Sequence, residues 1–362
     1  MRRLNFGAGP AALPLPVLEQ AQRELLDFEG TGLSILEHSH RGKDYERVHV
    51  EALSLFTELM GLPKSHSALM VQGGASLQFA MLPMNFLKSG YSADYAVTGH
   101  WARLAFEEAR RLGAARAACD TADRAGKHVR VPKPGELLVD PRASYLHITT
   151  NNTIFGTQWH TLPVTKGVPL VADMCSDILS RPIETSRFAL IYAGAQKNLG
   201  PAGLALVAVD RDWLKTARQD LPDILSYAAH LEAGSIYHTP PTFAVYLVGL
   251  QLKWIKANGG PAGMEKRNRA KAELLYGTLD RLKDFYAAPV EKESRSLMNA
   301  VFRAPSPEFD DRFCLEAEQK GITGLKGHRA TGGMRASLYN AISLDDVKAL
   351  AAFMDDFARR RG

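Results

Sequence analysis

From residue 68 onward the chain alternates short apolar runs, at 68–71, 94–97, 145–149, 168–172, 188–192 and 204–209, with longer segments whose apolar residues recur at helical spacing. Short runs with crossover helices between them are the pattern of a parallel sheet, and little else accommodates them. One such helix is expected at 100–112, where Trp101, Leu104, Ala105, Ala109 and Leu112 share a face. Upstream, 43–60 sets Val48, Ala52, Leu55, Phe56 and Leu59 on one face and stops at Gly61, with Pro63 just beyond. The reading is an α/β domain with a mostly parallel central sheet flanked by helices.

Helices at 243–257 and 264–282 are separated by Asn258-Gly259-Gly260-Pro261, the strongest breaker in the chain, and a domain boundary is placed there. The remaining third has runs at 298–302 and 333–338, and helices at 310–319 and 344–360. The last helix is opened by a capping pair, Ser343 and Asp346.

The 362 residues, 46% hydrophobic and 23% charged, can build two domains and their cores without disulfides or structural metal. A formal charge of +5 is too mild for an extended nucleic-acid surface. The longest apolar stretch, 242–254, is interrupted by Tyr246, Gly249, Gln251 and Lys253, so no membrane span is expected. The N-terminus runs from Arg2 and Arg3 directly into Gly and Pro, without an apolar signal core. Cys119, Cys175 and Cys314 form neither a disulfide framework nor a Cys-x-x-Cys pair, and a reducing cytoplasm fits them.

The segment from Phe188 to Gly203 is the most informative chemically. An apolar run leads into a turn that presents Lys197 among Gly194, Gly200 and Gly203, and another apolar run follows at once. Partial desolvation there favours the neutral amine that attacks a carbonyl. Asp173, at the end of an earlier run, would emerge on the same carboxyl edge of the sheet, where such folds bind ligands. A carboxylate paired with a pyridine nitrogen and a lysine forming a Schiff base are what pyridoxal phosphate requires. Gln72-Gly73-Gly74-Ala75-Ser76, between a strand and a helix, offers backbone N–H groups to a phosphate. Trp101 offers a flat plate and Thr153 a hydroxyl on the same rim. His38 and His40 have no matching ligand cluster elsewhere, and no metal site is expected.

These residues sit within longer motifs. They include Asn5-Phe6-Gly7-Ala8-Gly9-Pro10, Ser39-His40-Arg41-Gly42-Lys43, the stretch Ile191 to Asn198, Thr239-Pro240-Pro241-Thr242-Phe243, Gly327-His328-Arg329 and Gly332-Gly333-Met334-Arg335-Ala336-Ser337. Nearly end to end, the chain resembles the phosphoserine aminotransferase family, in the class V branch of fold type I pyridoxal-phosphate enzymes.

The resemblance implies a large cofactor-binding domain at 16–258, an α+β C-terminal domain at 259–362 and an N-terminal arm, 1–15, packing near the smaller domain. It implies one pyridoxal phosphate per subunit as a Schiff base on Lys197, with Asp173 on the pyridine nitrogen, Trp101 on the ring and Thr153 beside the phenolic oxygen. Ala75, Ser76 and Gln196 would hold the phosphate, completed by His238 and Thr239 of a second copy in a homodimer whose active sites lie at the interface. Where the family usually has Asn, this chain has His238, which can still donate to a phosphate. Substrate recognition would fall to His40, Arg41, His328, Arg329 and Arg335, with Arg335 on the α-carboxylate. The implied reaction is ping-pong transamination between glutamate and 3-phosphohydroxypyruvate in serine biosynthesis, extending in many relatives to a four-carbon phosphorylated analogue in vitamin B6 synthesis. The rival is a class V transaminase for an unphosphorylated substrate, of the serine–glyoxylate type.

Overall fold

The computed structural model describes residues 2–361; Met1 and Gly362, the outermost residues of the expected arm and C-terminal domain, lie outside the described residues. The chain opens with β1 (Leu4–Asn5), α1 (Leu15–Glu24) and α2 (Lys43–Met60). There follow β2 (His66–Gln72), α3 (Gly74–Phe86), β3 (Ala93–Val97), α4 (His100–Leu112), β4 (Ala115–Asp120) and β5 (Leu146–Thr149). A small ribbon, β6 (Asn151–Asn152) and β7 (Thr157–Gln158), precedes β8 (Leu170–Asp173), β9 (Leu190–Gly194) and β10 (Leu204–Asp210). Short helices α5 (Arg211–Leu214) and α6 (Tyr227–Glu232) lead to α7 (Thr242–Ala257) and α8 (Gly260–Arg281). The chain closes with β11 (Asn299–Phe302), α9 (Pro307–Gln319), β12 (Ile322–Thr323), β13 (Met334–Ser337) and α10 (Leu344–Arg361).

The seven-stranded sheet has the order β2-β10-β9-β8-β5-β3-β4. Its pairs are parallel except those of β10, which runs antiparallel to both β9 and β2. The reason is connection length. Only residues 195–203 join β9 to β10, and a parallel crossover needs about a dozen residues or more. Two reversals restore direction, so β2 runs with β9, and the carboxyl ends of β2, β3, β5, β8 and β9 share one edge.

Alternate strand residues feed opposite faces, as a period of two requires. Met70, Ile148, Ala172, Ile191 and Leu206 pack with α2 and α7, while Val71, Tyr95, Val171, Tyr192 and Val207 pack with α3 and α4. Helix α2 ends as its glycine promised: Gly61 adopts φ 58°, its N–H meeting Glu58 O and the Leu62 N–H meeting Thr57 O. In α4 the inward face is Ala102, Ala105 and Ala109, while Leu112, expected inside, is exposed.

Edge strand β4 has no apolar alternation and is tied in by charge. Arg116 grips the fully buried Asp94 of β3 with two bonds, Nε to Oδ1 at 3.0 Å and Nη2 to Oδ2 at 2.5 Å. Arg116→Ala would leave that carboxylate buried and unpaired, so we expect a loss of about 2 kcal/mol, less than for a fully buried pair because the guanidinium is partly exposed. A clear fall in the thermal unfolding midpoint checks this; an unchanged midpoint refutes it.

A third core forms around β11, β13, α9 and α10 and takes in Phe6 from the arm. Strand β1 pairs in parallel with β12, and the Ser337 N–H donates to Phe6 O at 3.0 Å. Helix α8 is shared: Met264 joins the core beneath the large sheet, while Ala272, Leu275 and Leu279 join the third. The Ser343–Asp346 capping box closes reciprocally at 2.8 and 3.0 Å and starts α10.

Candidate active site

The common carboxyl edge of the large sheet opens onto a cavity of about 330 Å³. Its walls include Gly73, Gly74, Ala75 and Ser76 at the start of α3, Trp101 of α4, Asp173 and Cys175 at the end of β8, and Gln196 and Lys197 beyond β9. Gly9 and Pro10 of the N-terminal arm complete it. A larger depression of about 1100 Å³, edged by Leu87, Tyr91, Leu112 and Arg142, lies by the starts of β3 and β4, at the opposite end of the strands.

Asp173 pairs in register with Thr149 of β5 and Tyr192 of β9, which places it at the sheet edge one strand from Lys197. The carboxylate is buried, and its Oδ1 accepts the Cys175 N–H at 2.9 Å. Burial raises its pKa above the ordinary carboxylate value, opposed by the bonding to Cys175 and by the Lys197 charge. Lys197 is half-buried in the tight β9–β10 turn, which is braced by the Leu199 and Gly200 N–H groups on Ala195 O. Its Nζ donates to Thr153 Oγ1 at 2.7 Å. Thr153 is held by the ribbon behind it, where Asn152 Nδ2 bonds Thr98 Oγ1 at 3.1 Å and Thr157 Oγ1 at 3.0 Å.

The start of α3 forms the opposite wall. Gly73 and Gly74 take φ of 86° and 59°, left-handed values open to glycine, and bring the N-terminus of α3, with its free backbone N–H groups, into the cavity wall. Gln196 is pressed close behind: a Cβ on Gly194 would stand 2.6 Å from its Oε1.

The substrate cations expected on the small-domain side come together near this cavity. The His328 ring lies 5.5 Å from the His100 ring, which is 5.2 Å from Trp101. The pKa of His328 is lowered by partial burial and then by the charges of His100, Arg335 and Arg329. Burial also lowers that of Arg335, whose Nε has no hydrogen-bond partner. His40, Arg41, His238 and Thr239 do not line the cavity, and Arg41, His238 and Thr239 are exposed.

Three contributions escaped the sequence reading. Cys175, considered there only for disulfide and Cys-x-x-Cys pairing, orients Asp173 through its N–H and accepts the Gly194 N–H on Sγ at 3.1 Å. Its position two residues past Asp173 was the available signal. Gly9 and Pro10 reach the cavity because the Ala11 N–H is anchored on Gln196 O, and nothing local in the sequence marks that contact. His100, beside Trp101, was passed over as an ordinary helix residue.

The donor set suits pyridoxal phosphate: a helix N-terminus for its phosphate, a buried carboxylate for its ring nitrogen, an indole beside its plane and an amine for its aldehyde carbon. Fold and site together define a lysine-bearing aminotransferase. Residues 3–350 match the model for aminotransferase class V. The chain belongs to that family and, within it, to the phosphoserine aminotransferases. It is 49% identical to phosphoserine aminotransferase from Herpetosiphon aurantiacus across 99% of both chains. It superposes on the enzyme of that name from Bacillus circulans subsp. alkalophilus with a TM-score of 0.97, at 48% identity, covering 100% of this chain and 99% of the other. With the pyridoxal-phosphate-bound phosphoserine aminotransferase of Trichomonas vaginalis the TM-score is 0.93 at 35% identity, over 98% and 100% of the two chains.

Proposed function

We propose that the chain transfers the amino group of L-glutamate to 3-phosphohydroxypyruvate, giving O-phospho-L-serine and 2-oxoglutarate, the transamination step of serine biosynthesis. The observation that carries this reading is the Lys197 amine, 2.7 Å from Thr153 Oγ1, between buried Asp173 and the start of α3 in a cavity neighboured by His328 and Arg335.

Pyridoxal phosphate, when bound, supplies the electron sink that makes the substrate Cα–H acidic. Asp173 would pair with the ring nitrogen and favour its protonated form, and Ala75, Ser76 and Gln196 would hold the phosphate. Trp101 would lie against the ring, and Thr153, which already accepts from Lys197 Nζ, would serve the phenolic oxygen side. The Lys197 amine, when free, would take the substrate Cα proton at Nζ and return a proton in the opposite half of the reaction. Arg335 grips the α-carboxylate, while His40, Arg41, His328 and Arg329 receive the phosphate or the distal carboxylate. The four-carbon phosphorylated analogue of vitamin B6 synthesis offers the same two anionic ends.

The assembly in this reading is a homodimer with one cofactor per subunit, each site finished by His238 and Thr239 of the other copy. It is supported by the exposure of those residues and by apolar Leu26, Leu33, Leu36 and Val50 left uncovered. We further infer an arm at 1–15, a large domain at 16–258 and a small domain at 259–362; the two cores about the large sheet and the third core about β11, β13, α9 and α10 support the division, with Phe6 of the arm in the third core and Met264 of α8 reaching back to the first. Cytoplasmic residence is supported by the three free cysteines.

The test is substrate choice. His328→Ala/Arg329→Ala is expected to lower kcat/KM for the phosphorylated substrate about 100-fold, by removing two donors to a charged group. Wild-type preference for serine and glyoxylate, or a double variant with full turnover of the phosphorylated substrate, overturns the reading.

A further inference from the structure

His100 is the first residue of α4, directly before Trp101 in the cavity wall. Its helix start is fixed in place, since Gly99 lies so close to the ribbon that a Cβ there would stand 2.4 Å from Asn152 Oδ1. Across the cleft, the segment 327–333 is folded on itself by Gly327 N–H to Gly333 O at 2.8 Å and Gly332 N–H to His328 O at 2.8 Å. That fold presents His328 to His100, with ring centroids 5.5 Å apart and planes tilted by 44°.

The His328 ring is used in a defined way. Its Nδ1 accepts the Ala330 N–H at 3.2 Å, so in the neutral ring the proton sits on Nε2, which is left to donate. The basic side chains gathered here lack counter-ions. Among the described residues, none of His100, His328, Arg329 and Arg335 has a carboxylate within 4.0 Å, although ion pairs are common elsewhere on the chain. Two guanidinium groups and two imidazole donors brought together without a counter-ion, at the first turn of a helix, favour an anion carrying more than one charge.

We propose that His100 is a specificity-determining residue for the phosphorylated substrate, pairing with His328 across the cleft to hold a phosphate dianion. This rests on the function proposed above. A phosphate presents three oxygens and close to two charges, enough to engage His100 as well as His328 and Arg329. The distal carboxylate of glutamate has two oxygens and one charge, and it leaves the extra donor unused. His100 therefore separates the two substrates of one active site.

The test compares wild-type holoenzyme with His100→Ala and His100→Gln. His100→Ala is expected to raise KM for 3-phosphohydroxypyruvate and the inhibition constant of inorganic phosphate about tenfold each, as for one lost bond to a charged group, with KM for glutamate within about twofold. Calorimetric titration of O-phospho-L-serine into the cofactor-free protein should show the same weakening. His100→Gln, which keeps a donor, should recover part of it. Unchanged phosphate and phosphoserine affinities in His100→Ala, or equal losses toward glutamate and the phosphorylated substrate, overturn the proposal while leaving the proposed reaction intact. A wild type without turnover of the phosphorylated substrate overturns both.

Discussion

Lys197→Ala should reduce transamination by about four orders of magnitude, the upper range for removal of a positioned acid–base group, with the nucleophile lost as well. The size of the effect follows from placement. The lysine sits in a short turn between antiparallel strands, braced by backbone bonds to Ala195 and aimed by Thr153 at 2.7 Å. Among the described residues no other lysine lines the cavity. The fold should be spared, because the side chain is half-buried and its one hydrogen bond is to Thr153. Borohydride treatment followed by intact mass measurement separates the cases: wild type should gain the mass of the reduced cofactor and the variant should not. A variant that is still labelled, or that turns over at more than a hundredth of the wild-type rate, would refute the assignment.

Asp173→Asn should come next, with a fall in kcat of roughly 10²- to 10³-fold, the scale of removing one preorganised electrostatic partner. Stability should move in the opposite sense, or not at all. A carboxyl whose folded-state pKa is raised loses stability as pH climbs from its unfolded value through its folded one, and above that window the fold bears the whole cost. Asparagine removes the cost, and its side-chain oxygen can still accept the Cys175 N–H. At neutral pH the cofactor-free variant should therefore unfold no earlier than wild type. Loss of activity together with a lowered unfolding midpoint would assign Asp173 to structure instead.

Much of this was legible in the residues because local rules and tertiary demands agree. Helices α2 and α4 lie where spacing and glycine stops put them, and both catalytic candidates lie at strand ends on one edge. The direction of β10 was readable from the brevity of 195–203, a length argument the apolar pattern alone conceals. Strand β4 was not readable, since an edge strand held by Arg116 on Asp94 carries no alternation of its own. The arm's approach to the cavity and the meeting of His100 with His328 join residues far apart in the chain, and such contacts leave no periodic trace. His40, Arg41, His238 and Thr239 are a different case. Their motifs are distinctive, yet within one copy none of them lines the cavity, and the proposed roles of His238 and Thr239 in particular are roles toward the site of a second copy, which no pattern within one chain describes.

The pairing of Leu4 with Ile322 also bears on how the polypeptide is made. During synthesis the strands of the large sheet can associate as they emerge, but Phe6 must wait, unburied, for β12, β13 and α10 to leave the ribosome. One short segment thus serves two bodies at once: Phe6 is packed by elements that follow the large sheet in the chain, while Gly9 and Pro10, held by the Ala11 N–H on Gln196 O, wall the cavity that the sheet opens onto.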